Sequence, residues 1–123
     1  MAGEISFFEL GVADADRARS FYSGLFGWSF APGTTEGGGY AIGTAGVPGG
    51  VHGGDAGARP YVFFRVDDID AAVRRVRELG GTVPEGDAPG GDEETVERFG
   101  RFVLCQDDQG SPFGLHQPPP AAG

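Results

Sequence analysis

Two stretches of this chain are copies of one another. Glu4 to Phe30 reads EISFFELGVADADRARSFYSGLFGWSF, and Tyr61 to Val83 reads YVFFRVDDIDAAVRRVRELGGTV. Phe7 aligns with Tyr61, Val12 with Val66, Asp14 with Asp68 and Ala18 with Ala72, all at an offset of 54. A fixed offset that runs through a strand pattern and a helix pattern constrains the fold more than either pattern alone.

The copies share one local logic. In the first, Ile5, Phe7 and Glu9 alternate with Phe8, Leu10 and Val12, which predicts a strand with two distinct faces. Asp14 is placed to cap a helix, Asp16 falls in its first turn, and Ala18, Phe21, Tyr22 and Leu25 recur at helical spacing. Gly27 ends that helix, and Trp28 and Phe30 resume alternation. In the second copy Val62, Phe64 and Val66 form the apolar strand face and Asp68 is the cap. Ile69, Ala72, Val73, Val76 and Leu79 form the helical stripe, which ends at Gly80-Gly81.

The remaining chain supplies strands and turns. Tyr40–Ile42 and Val51-His52 are predicted strands, and residues 53–60 (GGDAGARP) link the copies. Thr82 to Pro84 begins a strand, residues 87–94 form a polar loop, and Thr95–Phe99, Arg101–Gln106 and Ser111–Gln117 are further strands. The expected fold is α+β, a single domain over 1–123. Two βαβββ repeats (about 4–53 and 61–117) form a curved, mainly antiparallel sheet around a concave cup, with helices on its outer face. Residues 118–123 are a frayed tail. Neither half alone is large enough to bury its face, so the link is not a domain boundary.

Composition narrows the function classes. Eighteen acidic residues against nine basic ones give a net charge of −9, which opposes nucleic-acid phosphates and anionic membranes. The one cysteine, Cys105, lies in an apolar strand and reads as a core thiol, so no internal disulfide can form. No apolar run spans a bilayer and the first residues lack a signal pattern. A cytoplasmic protein is expected.

Several of these motifs together resemble the vicinal oxygen chelate superfamily, which includes glyoxalase I, extradiol dioxygenases and bleomycin-resistance proteins. The carriers are Leu10–Asp14, Ala18 with Phe21-Tyr22, and Leu25–Trp28. In the second half they are Val66–Asp70, Leu79–Gly81, Gly100–Phe102 and Asp107–Leu115. Phe8–Leu10 with Phe26–Trp28 is similar to the lactoylglutathione lyase-related single-module group. The resemblance implies a divalent metal held by four side chains at fixed strand positions. Those places carry Phe7, Gly50, Tyr61 and Gly114 here, so it implies the fold without the usual metal site and no cofactor is expected there.

The cup face then supplies the candidates. Phe7, Tyr61 and Phe63 can stack on a flat aromatic ligand, or form a collapsed or dimer-buried surface. Glu9 can act as a general base, or pair with Arg65 or solvent at the rim. Arg65 can clamp an anion or pair with Glu9. His52 and His116, the only histidines, occupy equivalent places in the two halves. With Glu9 they would make a displaced three-ligand metal site; otherwise they are exposed or hydrogen-bonded residues at strand ends. No Ser-His-Asp or Cys-His arrangement is supported by spacing. Two readings result. One is a metal-free homodimer that binds a small aromatic or hydrophobic molecule. The other is a lyase, isomerase or dioxygenase-like enzyme with Glu9 as base.

Overall fold

Two aspartates start the two long helices, as their positions predict. Asp14 accepts from the backbone N–H groups of Asp16 and Arg17 at 3.0 and 3.1 Å and opens α1 (Ala15–Phe26). Asp68 accepts from Ala71 N–H at 3.1 Å and opens α2 (Ile69–Glu78). Both satisfy N–H groups that a helix start leaves without partners. Gly27 closes α1 with φ +73°, a left-handed conformation that glycine adopts without strain.

The computed structural model describes residues 3–33, 39–84 and 93–120. Its contacts divide the chain into two units, Phe7–Tyr61 and Met1–Ser6 with Val62–Gly123. The boundaries follow the repeat, except that the link joins the first unit and the first six residues join the second. Residues 34–38 and 85–92, which include most of the expected polar loop, and the tail residues 121–123 lie outside the described residues.

The first unit contains β1 (Ile5–Gly11, its first two residues belonging to the second unit), α1, β2 (Ser29–Pro32), β3 (Tyr40–Gly43) and β4 (Gly49–His52). Its strand order is β2-β3-β4-β1. β4 runs parallel to β1, with Glu9 opposite Gly50 and Gly11 opposite His52, and the other two pairings are antiparallel. The core gathers Ala18, Ile42 and Val51, against which Phe8, Leu10, Val12, Tyr22 and Trp28 pack. The predicted strand parity therefore holds: Leu10 and Val12 lie on the helix side.

The predicted stripe of α1 needs correction. Phe21 and Leu25 are exposed by 63% and 58%, and Phe26 by 57%. Ala15 and Ala18 are the residues that α1 buries. Short side chains there bring the helix close to the sheet, and the larger residues one turn on are left outside.

The second unit contains β5 (Tyr61–Arg65, Tyr61 itself counting with the first unit), α2, α3 (Glu93–Phe99), β6 (Arg101–Gln106) and β7 (Pro112–Gln117). β7 runs parallel to β5 and antiparallel to β6. Ile69, Val73, Val83, Val103, Cys105 and Leu115 form the core, with Val66 and Val76 against it. Burial raises the Cys105 thiol pKa, as suits a core thiol. Leu79, placed in the stripe by periodicity, is the exposed C-cap of α2.

Two sequence expectations fail in this half. Thr95–Phe99 is not a strand but part of α3, which carries Glu93 and Glu94 in its first turn. Acidic residues there complement the helix dipole, and Gly100, at φ +96°, ends the helix with its N–H on Val96 O. The strand expected from Thr82 is reduced to one antiparallel bridge, Thr82 with Gln106. The second repeat is thus a shorter version of the βαβββ plan.

Candidate functional site

The parallel pairing of β1 with β4 brings Glu9 and His52 together. Glu9 lies two residues before the Gly11 that faces His52. Its Oε2 sits 2.5 Å from His52 Nδ1. On the other side of the ring, Asp55 Oδ2 lies 2.9 Å from Nε2. An imidazole with a carboxylate on each nitrogen makes both bonds well only when the three groups hold two protons between them, either as imidazolium or with one carboxyl protonated.

The proton affinities agree with that count. Burial raises the Glu9 pKa above its ordinary 4.5, against the opposing influence of His52. Burial alone would lower His52, but hydrogen bonds and charge from Glu9 and Asp55 outweigh it and raise the ring above 6.5.

Gly50 forms the floor of this site. A Cβ built there would lie 2.5 Å from Glu9 Oε1 and 3.5 Å from Phe7 Cζ. The Glu9 carboxylate and the buried Phe7 ring therefore both cover Gly50. Glu9 Oε2 is committed to His52, whereas Oε1 makes no hydrogen bond among the described residues. Glu9 is paired with His52 inside its own unit.

The matching place in the second unit is built differently. Gly114 lies opposite Phe63, and a Cβ on Gly114 would run into the Phe63 ring. Phe63 meets Phe102 edge to face, with centroids 5.3 Å apart. Phe102 in turn stacks on His116 at 4.4 Å and an interplanar angle of 5°. His116 is 5% exposed. Its Nε2 donates to Phe99 O at 2.6 Å, because a carbonyl only accepts. Its Nδ1 then accepts from Ser6 Oγ at 2.8 Å. Burial, with the positive charge of Arg65, lowers the ring's pKa despite the Phe99 bond, so His116 is neutral at pH 7.

The predicted site residues divide between the two units. Phe7, Glu9 and His52 meet in the first unit. Tyr61 is half-buried at the start of β5, and Arg65 is exposed at its end. Phe63 and His116 belong to the second unit's aromatic array. His116 spends both ring nitrogens inside its own unit, so it offers no lone pair to a metal shared with Glu9 and His52. The carboxylates of Glu9 and Asp55 face opposite sides of the His52 ring, so they do not converge on one point. Among the described residues no group of three or more His, Cys, Asp or Glu is arranged to hold a metal ion.

Asp55, Ser6 and Phe102 were missed as site residues. The spacing His52-Gly-Gly-Asp55 was a usable signal for the first, since a Gly-Gly turn returns an aspartate to the strand it leaves. Nothing local marks Ser6, which is 110 residues from His116.

A family model places the chain in one family. The model of the glyoxalase-like domain matches residues 7–116. Proteins named "Putative glyoxylase CFP32" from Mycobacterium bovis and Mycobacterium tuberculosis are each 30% identical over 125 residues, covering 94% of this chain and 46% of theirs. The chain therefore spans about half the length of these relatives. A methylmalonyl-CoA epimerase from Mycobacterium tuberculosis superposes with a TM-score of 0.68 at 20% identity, covering 95% of this chain and 89% of that one. A methylmalonyl-CoA epimerase in complex with methylmalonyl-CoA and NH4+ gives 0.68 at 17% identity, covering 99% and 97%. At such identities the likeness is one of fold. Among the described residues no helix is long and apolar enough to cross a membrane.

Proposed function

Since the chain belongs to the glyoxalase-like domain family, we propose that it is a metal-independent member that binds a small aromatic or partly hydrophobic molecule over the Gly50 floor. One observation carries this reading. Glu9 Oε1 has no hydrogen bond among the described residues and lies with the Phe7 ring over Gly50, which pairs an apolar contact with one directional acceptor. A ligand with a ring and a hydroxyl or N–H donor suits that pair.

The donor chemistry supports the absence of the usual metal. The four family places carry Phe7, Gly50, Tyr61 and Gly114. Phe and Gly cannot ligate, and the space next to each glycine is taken, by the Glu9 carboxylate in one unit and the Phe63 ring in the other. These residues do not fit the group.

A thermal-shift screen of ring compounds with and without a hydroxyl or amino donor tests the reading. A donor-bearing compound is expected to raise the melting temperature, and Glu9→Gln and Phe7→Ala each to weaken it at least fivefold. No binder, or one tightly bound transition metal per chain in protein made without a histidine tag, would sink the proposal.

The 2.5 Å contact of Glu9 with His52 favours a second reading, an isomerase or lyase with Glu9 as base. Deuterium exchange into methylmalonyl-CoA or other small acyl thioesters in D2O, lost in Glu9→Gln, would support it. We also propose a homodimer, supported by the exposed Phe21, Leu25 and Phe26 of α1. Light scattering that reports a monomer at micromolar concentration counts against it. We also propose a cytoplasmic setting, with which the buried free thiol of Cys105 is compatible.

A further inference from the structure

The loop that carries Asp55 is fastened to the end of β1 with more contacts than a linker needs. Val12 N–H donates to His52 O at 3.0 Å, Gly54 N–H to Ala13 O at 3.1 Å, and Asp55 N–H to Val12 O at 2.8 Å. Ala58 N–H closes the turn on Asp55 O at 3.3 Å. Gly54 takes φ +71°. Gly11 allows the approach: a Cβ there would lie 2.5 Å from Asp55 Oδ2 and 2.8 Å from Ala58 Cβ. The backbone therefore places the Asp55 carboxylate against the strand before any side-chain contact is considered.

We infer that Asp55 is a positioning residue. Held by its loop, it takes the Nε2–H of His52, turns Nδ1 onto Glu9 Oε2, and so leaves Glu9 Oε1 as the one acceptor over Gly50.

The reasoning is one of proton count and geometry. A neutral imidazole has a single N–H. Without Asp55 the ring has no fixed acceptor on its outer side and can turn, and Glu9 loses the constraint that directs Oε1. With Asp55 in place, the ring is held from both sides. The charged and titratable groups facing the ring are Glu9 and Asp55. On the Glu9 side the facing group is His52. The direction of the His52 shift is in keeping with this arrangement.

The role deepens the binding reading of Glu9 and rests on it, but its test needs no ligand. Long-range proton–nitrogen NMR spectra of the full chain report the protonation of each imidazole nitrogen. For the wild type, the His52 titration midpoint is expected above 6.5, with both nitrogens protonated below that midpoint. For Asp55→Ala the midpoint is expected to fall by about one pH unit, a tenfold loss of proton affinity. Asp55→Asn keeps an acceptor for Nε2–H, so it is expected to retain the ring orientation and lose part of the shift. His116, in the other unit, serves as the folding control, since its signals should stay those of a neutral ring in every variant.

Equal His52 midpoints in wild type, Asp55→Asn and Asp55→Ala would overturn the inference. So would a wild-type His52 midpoint at or below 6.5. If His52 shifts as expected while the ligand screen finds nothing, the binding reading fails and the positioning role stands. If a ligand binds over Gly50 with the same affinity in Asp55→Ala, the positioning role fails and the binding reading stands.

Discussion

His52 ends β4 opposite Gly11, and His116 takes the matching place in β7 opposite Arg65. The register around them is the same, with a glycine two residues earlier in each strand and a parallel partner beside it. Their surroundings are opposite. Two carboxylates flank His52, and its ring is partly open to solvent. A hydroxyl and a carbonyl hold His116, which is buried under the Phe102 ring. The difference traces to the partner strand, where Glu9 in one repeat stands at the position of Phe63 in the other. A repeated backbone thus offers the same seat twice, and one strand residue decides whether it becomes a proton-holding site or part of an apolar array.

The largest test of that contrast is deletion of each ring. His116→Ala removes a buried ring, its stacking on Phe102 and the partners of Ser6 and Phe99 O, and should cost on the order of 2–4 kcal/mol in chemical denaturation. His52→Ala removes a partly exposed ion pair and should cost less than about 1 kcal/mol. Similar costs for the two would erase the distinction drawn here.

The floors give the next largest effect. Gly114→Ala drives a methyl into the Phe63 ring, which is packed on Phe102 and has nowhere to go. A loss of about 1–3 kcal/mol is expected. Gly50→Ala meets the end of a flexible glutamate and should cost less than about 1 kcal/mol, while it displaces Glu9 Oε1 and weakens any ligand bound there. Denaturation curves paired with thermal shifts separate the two outcomes.

Dependence on pH sharpens the comparison further, because the two rings carry opposite signs. The folded state raises the His52 pKa, so its contribution to stability is fully present below the ordinary value of 6.5 and is lost as pH rises through the folded value. The folded state lowers His116, so the unfolded chain binds the extra proton and stability falls as pH drops below 6.5 toward the folded value. Glu9, raised above 4.5, adds a loss of stability as pH climbs from 4.5 through its folded value. In a pH series of melting temperatures, His52→Gln should flatten the slope above pH 6.5 and His116→Gln the slope below it. Slopes unchanged by both substitutions would contradict the proton assignments.

The smallest effect on folding should come from α1. Phe21→Ser alters an exposed side chain and should change monomer stability by no more than about 0.5 kcal/mol. In contrast, it should lower the apparent mass in light scattering if that face holds the homodimer together.

Much of the architecture was legible in the residues because its signals are local. A cap is one aspartate and the two or three N–H groups after it. Strand parity is a period of two, and it assigned Leu10, Val12 and Val66 to the core side. The repeat itself needed only an offset. Those features place the elements, and the family resemblance follows from them. Other outcomes depended on what each segment meets. The β-branched Thr95 and Val96 suggested a strand, yet the acidic first turn and Gly100 suit a helix. Phe21 and Leu25 have core periodicity but lie where the sheet is met by Ala15 and Ala18 instead. The chemistry was least legible. Glu9 and His52 are 43 residues apart, and Ser6 and His116 are 110 apart. Which atoms of such pairs meet is decided by strand register and by a loop folded back on Gly11, since side-chain contacts depend on angstroms that a one-dimensional pattern does not contain.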